Sequence, residues 1–204
     1  MEEKKANLTG DIPAGILKGC VDSYIPILTK ILNTSLERGC FPNQLKLAEV
    51  TPVFKKEDEL NKENYRPVSV LSHASKIFER IVFNQMNLFF ESKFSPQLTG
   101  FRKNHSTQNA LLNMIEKWRH ALDKGKKVGT IFMDLSKAFD TLNHNLLLAK
   151  LDAYGFSFNA IKFVQSYLSE RFQRVNINNN FSEWCKILLG VPHWSILVLF
   201  YSIF

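Results

Sequence analysis

A short, β-rich and largely apolar run of six residues, Val128-Gly-Thr-Ile-Phe-Met133, leads directly into a carboxylate, Asp134. A short run of that kind reads as a buried strand. An ionised group at the end of such a strand is costly unless it is paired, hydrogen-bonded or bound to a metal. Capping the following turn is one way to satisfy Asp134. Hard-cation chemistry with Mg2+, which uses one or two such carboxylates plus phosphate oxygens, is another. The run therefore calls for a sheet around it and a polar task at its end.

The flanking sequence alternates irregularly between helical and β patterns. Ile25, Leu28, Ile31, Leu32 and Leu36 recur at helical spacing, which predicts a helix over 22–38 closed by Gly39, with Pro42 just beyond. Val53-Phe54 and Val68-Ser-Val-Leu71 bracket the charged stretch Lys55–Glu63 and predict a hairpin with a solvated tip. Helices follow over 74–91 and 107–122, the second with Leu111, Met114, Ile115, Trp118 and Leu122 on one face and Ser106 or Thr107 as N-cap. A loop rich in Pro, Gly and polar residues, 95–105, separates them. Beyond Asp134, helices are expected over 144–152 and 157–169, the latter capped by Ser157. Arg174–Asn178, an Asn179-Asn180 turn and Phe181–Leu189 then form a second hairpin. The fold class is α+β rather than a regular βαβ array.

Charge has a location. Residues 64–130 carry 11 basic and 4 acidic side chains, which accounts for the whole net charge of +7. A localised basic region points to a polyanion, nucleic acid ahead of an anionic membrane, with a solvated helical face as the plain alternative. With 45% hydrophobic residues among 204, disorder is excluded and the chain can build a real core. Three cysteines, Cys20, Cys40 and Cys185, form no Cys-x-x-Cys pair, and the five histidines share no ligand spacing. With no apolar leader after Met1, an intracellular location in cytoplasm or nucleus is expected. The uncharged run Ile187–Phe204 is broken by Gly190, Pro192 and His193, so a membrane span is disfavoured and the run reads as a core helix cut off from its surroundings.

Several segments, taken in order, resemble the reverse transcriptase of LINE-type (non-LTR) retrotransposons. They are Asp11-Ile-Pro-Ala-Gly-Ile-Leu-Lys18, Val50-Thr-Pro-Val-Phe-Lys-Lys56, Asn64-Tyr-Arg-Pro-Val-Ser-Val-Leu71, Ser75-Lys-Ile-Phe-Glu-Arg80 and Gly100-Phe-Arg-Lys103. Phe132-Met-Asp-Leu-Ser-Lys-Ala-Phe-Asp-Thr-Leu-Asn-His144 and Gly190-Val-Pro192 complete the set. The resemblance implies a right-hand polymerase of which this chain covers the fingers and a partial palm. Residues 1–43 would be a helical segment preceding the fingers, about 44–127 the fingers and about 128–204 the partial palm. It implies an RNA template, a DNA primer, dNTP substrates and Mg2+.

On that resemblance Asp134 matches the first palm carboxylate, with the Leu135 backbone beside it, bridging two Mg2+ ions about 3.5–4 Å apart. Phe139 lies where the family places an aromatic that excludes a ribose 2′-hydroxyl, with a plain core Phe as the alternative. Asp140 reads as structural. Lys55, Lys56 and Arg66 would hold the triphosphate, Arg by a planar fork and Lys as a point charge. Arg102 and Lys103 would contact template or nucleotide. His144, after Asn143, reads as a structural hydrogen-bonder rather than a ligand.

Two departures stand out. Related sequences read Gly-Val-Pro-Gln-Gly-Ser-Ile-Leu-Gly-Pro where this chain has Gly190-Val-Pro-His-Trp-Ser-Ile-Leu-Val-Leu199, so His193 and Trp194 replace Gln and Gly. The family's Tyr/Phe-Ala-Asp-Asp hairpin and its thumb are expected beyond Phe204. The expected function is thus that of a retrotransposon-derived reverse transcriptase, inactive as this fragment. The alternative is a non-catalytic module that binds RNA or an RNA–DNA hybrid through the basic fingers segment.

Overall fold

The computed structural model describes residues 8–100, 102, 104–134 and 140–191. A short helix, α1 (Ala14–Gly19), leads into α2 (Val21–Arg38), which starts one residue earlier than the periodicity predicts. Gly39 ends α2 in the left-handed conformation (φ 62°), and Cys40 N–H donates to Ser35 O at 2.9 Å, the closing bond of a Schellman-type cap. A Cβ at Gly39 would stand 3.1 Å from Asn159 O, so the residue is needed for close approach as well as for its turn.

Strand β1 (Leu47–Phe54) and strand β2 (Tyr65–Leu71) form the expected antiparallel hairpin, in register from Ala48–Leu71 to Phe54–Tyr65. Pro52 faces Pro67. Lys55 N–H donates to Asn64 O, so by ladder alternation the proline pair falls where neither strand needs its N–H for the other.

Helix α3 (His73–Glu91) starts under a Ser72 cap, and α4 (Thr107–Asp123) under a Ser106 cap. Asn143 caps α5 (His144–Ala153), and Ser157 caps α6 (Phe158–Leu168). Each cap side chain accepts from a helix N–H within its first turn, satisfying donors the helix leaves open. Strand β3 (Arg171–Ile177) then pairs parallel to β1, Leu47 opposite Phe172 through Val50 opposite Val175. Asn178 and Asn179 (φ 50° and 63°) make the following tight turn, one residue before the predicted position. The return is broken into β4 (Asn180–Phe181) and β5 (Cys185–Ile187), both antiparallel to β3. The sheet order is β2-β1-β3 with the broken return outermost.

Helices α2, α3, α5 and α6 enclose the core. Phe41 sits at its centre, meeting Phe78, Phe163 and Tyr167 edge-on at ring distances of 6.2, 5.8 and 5.0 Å. The mixed α+β class holds.

One expectation is overturned. Val128–Met133 is not a buried strand: it joins no ladder among the described residues, and Ile131, Phe132 and Met133 are 86%, 78% and 90% exposed. Apolar β-propensity becomes a strand only where a neighbour pairs with it, and no described segment does. Helix α4 forms, but its predicted face is covered only in part. Leu111, Ile115 and Leu122 are exposed, and the half-buried stripe is Ala110, Met114, Trp118 and Ala121. Among the described residues no helix is long and apolar enough to cross a membrane.

Candidate functional site

The β1–β2 tip is exposed, as its charges demand, yet it is internally ordered. Asp58 Oδ1 accepts from Leu60 N–H at 2.9 Å, and Asn61 Oδ1 accepts from Glu63 N–H at 3.0 Å. Asn64 Nδ2 donates to Asp58 O and the Tyr65 hydroxyl to Glu59 O, each at 2.9 Å. Glu57 takes a left-handed φ of 75°. Lys55, Lys56 and Arg66 are exposed around this scaffold, with Lys56 Nζ 3.5 Å from a Glu57 carboxylate oxygen. Because Arg66 faces Val53 and side chains alternate, Lys55 and Arg66 share one face of the hairpin. Phe54 and Tyr65 take the other, ring centroids 5.4 Å apart.

At the base of the hairpin lies a network that no local sequence pattern singles out. Glu49, 2% exposed, accepts at Oε1 from Arg174 Nη2 (2.6 Å) and Nε (3.1 Å). Its Oε2 accepts from Thr9 Oγ1 (2.9 Å), Thr9 N–H (3.3 Å) and Asn176 Nδ2 (3.2 Å). Burial pushes the Glu49 carboxyl up, but hydrogen bonds from Arg174, Thr9 and Asn176 outweigh it and hold the group below its ordinary value. The Arg174 guanidinium also lies 4.0 Å from the Phe181 ring centre and 4.7 Å from that of Trp184. The one available signal is a lone carboxylate in the apolar strand Leu47-Ala-Glu-Val50; its partner Arg174 lies 125 residues away. Nearby, Asp11 Oδ2 accepts from the His73 N–H and stands against His73 Nδ1, each at 2.8 Å. The segment 8–11 is thereby fastened to β1 and to the start of α3.

Asp134 is exposed at the end of the 126–134 stretch, which is neither helix nor strand. Among the described residues no three His, Cys, Asp or Glu side chains cluster closely enough to hold a metal ion. Arg102 folds onto its own loop: Nη1 donates to Ser95 O (3.2 Å) and Leu98 O (3.3 Å), and the guanidinium lies 5.6 Å from the Phe94 ring centre. Gln108, Lys117, Arg119, Lys124, Lys126 and Lys127 are exposed on and after α4. The structure thus places Lys55, Lys56 and Arg66 at one exposed tip and leaves Asp134 outside any group of three His, Cys, Asp or Glu side chains that could hold a metal among the described residues. Leu135, Phe139, Lys103, His193 and Trp194 lie outside the described residues.

Comparison with known proteins gives this arrangement its class. Residues 54–197 match the family model described as reverse transcriptase (RNA-dependent DNA polymerase). The chain is 31% identical over 205 residues to the probable RNA-directed DNA polymerase from transposon BS of Drosophila melanogaster, covering 98% of this chain and 22% of that protein. It is 30% identical over 187 residues to the RNA-directed DNA polymerase from mobile element jockey of the same fly, covering 90% and 20%. The probable RNA-directed DNA polymerase from transposon X-element, also of that fly, is 29% identical over 186 residues, covering 89% and 20%. The chain belongs to the reverse transcriptase family, in its LINE-type, non-LTR branch. It spans about a fifth of the length of these curated relatives.

Proposed function

We propose that these 204 residues form the fingers and part of the palm of an RNA-directed DNA polymerase. Template RNA and incoming dNTP meet the basic middle third, and Asp134 takes the place of the first palm carboxylate. The observation that carries this reading is the ordered β1–β2 tip, with Lys55 and Arg66 on one exposed face. A guanidinium and an ammonium held close together on a stiff hairpin suit a triphosphate, the one gripping two oxygens and the other adding charge. Arg102 and Lys103 contact template or nucleotide, and Phe139 stands against the ribose.

A hard oxygen donor such as Asp134 suits Mg2+, but one carboxylate is part of a shell and not a two-metal cage. These 204 residues contain no Tyr/Phe-Ala-Asp-Asp run to supply further carboxylates, and acting alone they bind nucleic acid without extending a primer. The replacement of a family Gln-Gly by His193-Trp194 supports the same reading, since an indole occupies space that a glycine leaves to the backbone.

Titration of the chain with a labelled, primed RNA template tests both halves. Binding weakens steeply with salt, and removing one phosphate-contacting cation lowers the log–log slope by about one. Salt-insensitive binding, or none, overturns the nucleic-acid reading. Primer extension with dNTPs and Mg2+ that is lost on Asp134→Asn overturns the claim of inactivity.

A further inference from the structure

The last described turn is held by residues that follow the Asp134 motif. Gly190 adopts φ 74°, and its N–H donates to Leu142 O at 3.0 Å. Its carbonyl oxygen lies 2.7 Å from His144 Nε2. A carbonyl only accepts, so Nε2 carries the proton in this contact. Both backbone polar groups of Gly190 are therefore engaged by residues two apart that lie far back in the chain. His144 is itself fixed: it is the first residue of α5, where the N–H groups of Asn145 and Leu146 donate to Asn143 Oδ1 at 2.9 and 3.2 Å. On the other side Val191 is 5% exposed and belongs to the core cluster.

We infer that His144 is a positioning residue that docks the Gly190-Val191 turn onto the segment following Asp134, so that the chain enters the altered Pro192-His-Trp194 stretch from a fixed point. The inference rests on the polymerase reading above for its purpose and on the two hydrogen bonds of Gly190 for its geometry. Leu142 supplies the acceptor and α5 the platform. Of these two contacts, the one from His144 comes from a side chain, and so is the one that substitution can remove. The left-handed φ of Gly190 completes the fit, since a side chain there is strained.

The test compares His144→Phe, which keeps a ring and loses the donor, with His144→Gln, whose amide nitrogen reaches about as far as Nε2. Hydrogen exchange at the Gly190 amide should rise about fivefold in His144→Phe, the loss of one net hydrogen bond. Affinity for a primed RNA template should fall with it. His144→Gln should return both toward the wild-type values, and exchange at Val82 in α3 should stay unchanged throughout. Should His144→Phe fail to fold, His144→Asn, a shorter amide, serves in its place against His144→Gln. Gly190 exchange that is indifferent to the presence or reach of the donor overturns the inference. If the exchange pattern holds while no form binds primed RNA, the docking contact stands and the proposed function falls.

Discussion

Helices α4 and α5 are both rich in apolar residues and meet opposite fates. In α5, Leu147 and Leu151 are 1% and 0% exposed, packed among α2, α3 and α6. In α4, none of the 17 residues is buried, although Leu111, Met114, Ile115, Trp118 and Leu122 recur at helical spacing. Both helices are capped, by Asn143 and by Ser106. The contrast separates two things that a hydrophobic pattern conflates. The pattern and the cap decide that a segment is helical; a partner surface decides whether its stripe is covered. The same division holds for β structure. Strand β1 lies between β2 and β3, whereas the equally apolar Val128–Met133 has no ladder among the described residues.

The largest effect expected in the well-packed half is at Glu49. Alanine there removes the partner of Arg174 and the acceptor for Thr9 and Asn176. Breaking a buried ion pair from one side costs about 3–5 kcal/mol. Urea denaturation of Glu49→Ala should show a loss of that size, together with faster amide exchange at Thr9. A loss below about 1 kcal/mol, the worth of an exposed pair, would mean that the network is not what joins residues 8–11, β1 and β3.

Leu151→Ala comes next, at about 3 kcal/mol, within the usual range for emptying a buried leucine site. The site is walled by core side chains of α3 and α6 that can close the gap only in part. Equilibrium unfolding gives the value directly, and a result near zero would place α5 in the same loosely held class as α4.

Acid separates the Glu49 network by charge. The folded carboxyl of Glu49 lies below its ordinary value, so its contribution is fully present above that value. Stability is lost as pH falls through the folded value, because the unfolded chain takes up the proton first. Glu49→Gln cannot titrate, so its stability should fall less than the wild type's over that acid interval, and the two curves should converge at the acid end. Parallel curves would show that other carboxylates dominate acid unfolding.

How much of this was legible beforehand follows the same line. Helices α2, α3 and α4 begin and end within a residue or so of the expected positions, because caps and periodicity act over a single turn. The β1–β2 hairpin was readable for a similar reason, its two apolar strands lying close on either side of a charged tip. The parallel pairing of β1 with β3 was not, since the two strands meet across most of the chain. The Glu49–Arg174 contact, which spans 125 positions, was hidden for the same reason. Nothing near Glu49 in the chain announces Arg174 or Asn176, although their two-residue spacing on β3 puts them on one face.

The docking of Gly190 by His144 was half legible: the sequence marked His144 as a structural hydrogen-bonder without showing what it bonds. At the candidate site, the cations of the β1–β2 tip stand where the hairpin pattern puts them. Asp134 was marked by its place at the end of an apolar run, but its surroundings depend on strand pairing that a pattern cannot supply.

The smallest expected effect is the sharpest check on the contrast between α4 and α5. Ile115 is 51% exposed on a helix with no buried residue, so Ile115→Ala removes side-chain atoms that already face water. Alanine is also the better helix former by up to about 0.7 kcal/mol, which offsets what little contact is lost. The variant should therefore unfold within about 0.5 kcal/mol of the wild type, as surface substitutions usually do. A loss above about 1 kcal/mol, the mark of a side chain with something to lose, would show that the outer face of α4 is covered in solution, by another copy or by a segment outside the described residues. Dilution separates those two outcomes, because only the contact between copies weakens as the protein concentration falls.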